Sequence, residues 1–279
     1  MKIILGDNQF FGVNHHDLTK GESTKQKFQD VADIENFIND ALKCGMDGFM
    51  INSNDLGYKL ISEKEFDVNT EIHYSIPYPH KYASMVNENG ILSLLTFVLK
   101  NTSFLKNALA GIKFILTRNI THFVPLGIDL EVPKNLKKGS YVYVQNIFTD
   151  MILGLNREDL FLKIINKIID LGYKPGLMTL NPIMLDSILK KIDESKLEKL
   201  IVCFNINTNG FNVFPSKDVV EKFISSEKKY QTMGMSVFAS GGGNINDSIK
   251  YIRSLNLDYI VFGSSSINNI ENNLKNFKK

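Results

Sequence analysis

The sequence predicts a (β/α)8 TIM barrel, and three observations carry the prediction. Eight short apolar segments recur along 279 residues, each followed by a polar or glycine-rich turn and then a helical stretch. The last two segments end on Ala239-Ser240-Gly241-Gly242-Gly243 and Phe262-Gly263-Ser264-Ser265-Ser266, glycine-bearing turns at the place where such barrels hold phosphate. The length suits one domain over 1–279, because a barrel takes about 250 residues and one insertion accounts for the rest.

The first strand is expected at 2–5. A polar loop follows, then a helix at 30–43 with Val31, Ile34, Phe37, Ile38 and Leu42 at helical spacing and Gly45 as its stop. Further strands are expected at 48–51, 71–76, 141–144, 175–179, 200–204, 235–239 and 259–262, with helices at 56–64, 157–171, 182–193, 216–229, 245–255 and 267–275. Strands alternating with helices imply parallel pairing, since parallel neighbours need a crossover. The connection 77–140 is too long for a simple crossover and carries apolar helical stretches at 87–99 and 103–118, so a helical insertion is expected there. From Asn89 to Ile128 there is no Asp or Glu, while Lys100, Lys106, Lys113 and Arg118 are present. A solvated lysine face, a lid over an anionic substrate, a homo-oligomer contact through the 87–118 helices and docking on a membrane surface all fit that pattern.

Composition narrows the function classes. With 43% hydrophobic and 22% charged residues the chain can bury a large core. A net charge of +2 gives no electrostatic case for nucleic acid. Cys44 and Cys203 lack the spacing of a zinc site or redox pair and read as reduced thiols, which suits a cytoplasmic protein. A strand beginning at Lys2 leaves no room for an export leader, and the longest nearly apolar run, 91–99, is about half of what crosses a bilayer.

Chemistry in a barrel lies on the loops after the strands. After strand seven, Ser240, Gly241, Gly242 and Gly243 offer backbone amides to an anion, and Asn244 or Asn246 is placed to cap the next helix. After strand eight, Gly263, Ser264 and Ser265 offer more. Carboxamides crowd the other strand ends: Asn8, Asn52, Asn54, Gln145, Asn146, Asn181, Asn205 and Asn207. Side-chain amides donate and accept, so such a ring suits a hydroxyl-rich, sugar-like ligand, though Asn also favours ordinary turns. Proton-moving groups are fewer. His80 is the first candidate, in Pro77-Tyr78-Pro79-His80, and Asp7 the second, with Tyr78 and Asp150 to assist or orient. No metal motif is present; the adjacent His15 and His16 point apart in an extended loop. No lysine stands at a strand tip, which argues against Schiff-base chemistry, and neither a nucleophile elbow nor a Walker loop occurs.

Three blocks resemble the aldo-keto reductase superfamily: Leu5-Gly6-Asp7-Asn8-Gln9-Phe10-Phe11-Gly12, Gly45-Met46-Asp47-Gly48-Phe49-Met50-Ile51-Asn52, and Val261 through Leu274. The middle of the chain, with its Pro-Tyr-Pro-His loop and Gln145-Asn146, is more similar to barrels of this kind that lack the reductase catalytic tetrad. The resemblance implies a nicotinamide cofactor with its adenine end near Glu271 and Asn272. NAD is implied rather than NADP, because Ser264 to Asn272 holds no Lys or Arg for a 2′-phosphate. The tetrad itself is not carried: its Asp position reads Asn52, its Tyr position Gly57, with Tyr58 one residue late, strand three has no Lys, and strand four ends in Gln145-Asn146. The leading expectation is therefore an enzyme with acid–base chemistry of isomerase, epimerase or lyase type on a phosphorylated or nucleotide-linked polar metabolite. The alternatives are an NAD(P)-dependent oxidoreductase with altered residues and a non-enzymic ligand- or partner-binding barrel.

Overall fold

A computed structural model describes residues 1–12, 27–77, 109, 112–113, 116–117, 122 and 124–278. Eight strands form a closed barrel in sequence order: β1 (Lys2–Leu5), β2 (Gly48–Asn52), β3 (Glu71–Ile76), β4 (Tyr141–Val144), β5 (Lys174–Thr179), β6 (Ile201–Asn205), β7 (Gln231–Met235) and β8 (Tyr259–Phe262). Every neighbouring pair is parallel, and β1 closes the ring by pairing Ile4 with Gly48 of β2 and Leu5 with Phe262 of β8. The expected TIM barrel is thus the observed fold.

The surrounding helices are α1 (Val31–Lys43), α2 (Asp55–Glu63), α3 (Val124–Glu131), α4 (Asn146–Gly154), α5 (Glu158–Asp170), α6 (Pro182–Leu189), α7 (Glu194–Leu197), α8 (Lys217–Ser225), α9 (Ile245–Arg253) and α10 (Ile267–Lys278). Local chemistry sets their ends. The Asp30 carboxylate accepts the Asp33 N–H at 2.9 Å and opens α1, and Gly45, at φ +105°, follows its end. Helix α5 buries Leu160, Phe161, Ile164, Ile165 and Ile168 along one stripe, with Glu158 and Asp159 in its first turn and Lys167 in its last, charges matched to the helix dipole.

Two cores result, one between sheet and helices and one inside the barrel. The inner core holds Ile4, Met50, Tyr141, Tyr143, Met178, Ile201, Cys203, Met233, Tyr259 and Val261. Gly176 is required there: a Cβ on it would stand 2.3 Å from Cδ1 of the Tyr143 ring. These side chains plug the barrel and separate its two ends.

Four elements differ from expectation, one of them α7, which lies beyond the helix expected to end at 193. Strand seven, expected at 235–239, is Gln231–Met235, because the ladder sets Met233 against Tyr259 and Asn205 against Met235. The apolar run after it is loop, with Val237 and Ala239 buried. Helix α4 begins directly after β4, ahead of the helix expected at 157. Helix α3, which packs against α5, was not expected, since Pro125 and Gly127 obscure its pattern. Most of the expected insertion, including the bulk of 87–118 and therefore its oligomer contact, lies outside the described residues. Within it, Leu109, Ile112 and Leu116 are exposed. Among the described residues no helix is long and apolar enough to cross a membrane.

Candidate functional site

Alternation along the strands decides which side chains face the barrel axis. Continuing the inner-core positions one step toward the strand ends reaches Asn52, Ser75, Gln145 and Asn205, a polar layer above the plug. Gln145 Nε2 lies 3.4 Å from Ser75 Oγ, and Asn205 Nδ2 donates to the Asn212 carbonyl at 2.9 Å.

Asp7 follows β1 at the edge of this layer. Its Oδ2 accepts both the backbone N–H of Asn52, at 2.8 Å, and the Asn52 side-chain amide, at 2.7 Å. Asn52 Oδ1 in turn accepts the Asn54 N–H at 3.1 Å, which fixes the amide's orientation. Both Asn52 donors approach the same oxygen, Oδ2. Burial raises the carboxyl to about 6, against the opposing pull of the Asn52 donors. Among the described residues no cation contributes, and the carboxyl is held by amide donors.

The other expected residues fall into two groups. Asn8 is exposed on the 3-10 turn Asn8–Phe11. Asn146 is the half-buried first residue of α4. Asn181 caps α6 by accepting the Met184 N–H at 3.1 Å, an ordinary turn role. Asp150, one turn into α4, accepts from Thr179 Oγ1 at 2.5 Å and from the Leu180 N–H at 3.0 Å, tying α4 to the end of β5; burial raises its pKa. Tyr78 and His80 lie outside the described residues, as do His15 and His16.

The glycine turns are more self-contained than their sequence implies. The N–H groups of Gly241 and Gly242 donate to the carbonyls of Phe238, at 2.8 Å, and Ala239, at 3.0 Å, and Asn209 Nδ2 reaches the Gly242 carbonyl. Ser236, Ala239 and Ser240 all have φ between +46° and +57°, a concentration of left-handed non-glycine residues that marks a strained loop. Asn244 caps α9 by accepting from Asn246 and Asp247. After β8, Ser264 Oγ donates to the Ser266 carbonyl, and a Cβ on Gly263 would meet Gln9 Oε1 at 2.4 Å. The N–H groups of Gly243 and Ser265 engage no acceptor among the described residues. Glu271 pairs with Lys275 at 2.8 Å on the exposed face of α10, beside exposed Asn272. These residues do not fit a preformed dinucleotide cradle.

Two site residues escaped the sequence reading. Ser75 shares the inward face of β3 with Glu71 and His73, a signal the alternation already contained. Gln9 donates to the Gly6 carbonyl at 2.5 Å while its Oε1 is buried without a partner against Gly263, which only the closure of β1 on β8 reveals. Among the described residues no group of three or more His, Cys, Asp or Glu is placed to hold a metal ion.

The fold and the polar mouth define the class: a closed (β/α)8 barrel with a polar layer at one end. No protein-family model and no curated protein sequence matches the chain. Among solved structures, it is similar to a proposed aldo-keto reductase from Pseudomonas aeruginosa, with TM-score 0.55 and 11% identity over 99% of this chain and 88% of that one. A second structure of a proposed aldo-keto reductase from that organism gives TM-score 0.55 and 10% identity over the same shares. A D-tagatose 3-epimerase-like protein follows at TM-score 0.45 and 15% identity, over 100% of this chain and 96% of that one, too loose to carry an inference. At these identities the likeness shows the fold alone.

Proposed function

We propose that the chain is an enzyme performing acid–base chemistry of isomerase, epimerase or lyase type on a polar, sugar-like metabolite bearing a phosphate or nucleotide. One observation carries the reading: a carboxyl at the barrel mouth, raised to about 6 by burial, oriented by the two Asn52 donors and, among the described residues, with no cation beside it. A group of that strength is ionised at neutral pH yet basic enough to take a proton from carbon beside a carbonyl and return it to a neighbouring atom. Asn52 positions it, and Ser75, Gln145 and Asn205 supply donors and acceptors for substrate hydroxyls. The uncommitted N–H groups of Gly243 and Ser265 support an anion at the far side of the mouth.

The test is turnover of sugar phosphates and nucleotide-linked sugars in D2O, with deuterium incorporation followed by NMR. Incorporation is expected, with a rate that rises through an inflection near the carboxyl's value of about 6. If Asp7→Asn exchanges as fast as the parent, the reading fails. A saturable fluorescence response to NADH would put an oxidoreductase in its place.

A further inference from the structure

The base of the barrel, at the opposite end from Asp7, carries a cavity of about 250 Å³ between the loops entering β3 and β4. Its lining includes Glu71, Lys137, Lys138, Ser140, Tyr141 and Lys174. Three lysines therefore face one carboxylate, and that carboxylate already pairs with Lys2. Lys137 donates to the carbonyls of Val68 and Thr70, and Lys138 to that of Leu171, so neutral acceptors hold these ammonium groups and leave their charge uncancelled. The Lys174 ammonium lies 4.8 Å from the centre of the Tyr141 ring and has no hydrogen bond among the described residues. Ser140 is 4% exposed, and its hydroxyl oxygen is buried without a partner. The Ser140 carbonyl accepts the Lys174 N–H at 2.9 Å, which sets these two residues side by side at the entrances of β4 and β5.

We propose that this cavity binds a small oxyanion of the phosphate or phosphate-monoester class, held by the Lys174 ammonium and the Ser140 hydroxyl within the field of Lys137 and Lys138. An unpaired buried hydroxyl and an uncompensated ammonium are both satisfied by one oxyanion, the hydroxyl donating and the ammonium adding charge. Size limits the ligand. At about 30 Å³ per water, the cavity holds roughly eight waters. It falls below the roughly 300 Å³ at which pockets for drug-sized ligands begin, so a dinucleotide is excluded. The site is independent of the chemistry assigned to Asp7.

Calorimetry of the full chain tests it, with inorganic phosphate in one arm, glycerol 3-phosphate in the other and chloride at matched ionic strength as control. Saturable binding is expected, weakened about tenfold by Lys174→Met through the lost charge-assisted contact. Ser140→Ala is expected to weaken it by a smaller factor, and it carries the test if Lys174→Met does not fold. Asp7→Asn, at the other end, keeps the affinity. Tighter binding of the ester than of phosphate identifies the monoester as the ligand, and the reverse identifies the free ion. Absence of saturable binding overturns the proposal, as does an affinity unchanged in both base variants. Loss in Asp7→Asn with retention in the base variants places the anion at the mouth and equally overturns it.

Discussion

At the base of the barrel, Glu71 lies between Lys2 and His73, and burial, which by itself would raise its pKa, is outweighed by those two contacts, which hold it down to about 2. At the mouth, Asp7 meets only amides among the described residues, and burial prevails, leaving it at about 6. The same residue chemistry, a partly buried carboxylate, is stabilised at one end and left reactive at the other. His73 shows how closed the base is. It is fully buried, and burial pushes its pKa below the usual range. Burial also keeps the Tyr143 phenol protonated, and its oxygen lies 2.9 Å from His73 Nδ1, within hydrogen-bond distance. The imidazole Nε2 faces the Glu71 carboxylate at 3.5 Å. Ion pairing of this sort contributes stability, whereas a buried carboxyl held only by neutral donors costs stability and is retained where it serves chemistry.

Changes at the two ends separate these roles. The largest effect is expected on activity: Asp7→Asn lowers turnover by about 10²–10⁴-fold, the usual contribution of a positioned base. Gly176→Ala attacks the plug between the ends. Its new methyl would overlap the Tyr143 ring, and overpacking of that kind costs about 3 kcal/mol, read as a lower urea midpoint.

Glu71→Gln should destabilise by about 2 kcal/mol at pH 7, a figure reduced from the full shift because the side chain is 22% exposed. The sign follows from a lowered carboxyl. Its stabilisation is complete above the ordinary 4.5 and is lost as pH falls toward about 2, so parent and variant should converge in that window.

Asp7 carries the opposite sign. Its carboxyl is raised from 3.8 to about 6, so ionisation penalises the folded state across that interval and the penalty is complete above it. Asp7→Asn should therefore stabilise the protein by about 1–2 kcal/mol at pH 8 and not at all below pH 4, measured as the difference from parent at each pH. A variant that stabilises while abolishing turnover would sharpen the contrast between the ends; one that destabilises at pH 8 would break it. The smallest effect belongs to Glu271→Gln, within about 0.5 kcal/mol, because its pairing with Lys275 is a surface contact.

Much of the barrel was legible as a string of apolar segments. β3, β4 and β8 match their expected ranges because each is a short apolar run bounded by turn residues. Strand seven was displaced because Met235 to Ala239 is more apolar than Gln231 to Met235. The parallel ladder nonetheless selects the latter, where Gly234 fits beneath Ile206 and Leu257. Asp7 and Asn52 were legible as polar residues at strand ends. Their hydrogen bonds to each other were not, since they join positions 45 residues apart.

Hydrophobic periodicity and turn chemistry, which are local, determined the eight-fold alternation, the parallel pairing and the end of the barrel that bears polar residues. Only closure of the ring decided how those residues are used. It turned Asn181 and Asp150 into fasteners, folded the glycine turns onto their own carbonyls, and set no countercharge beside Asp7 among the described residues. The reason is physical: a carboxyl's strength depends on its neighbours and on the solvent removed from it, and both are fixed by residues distant in the chain.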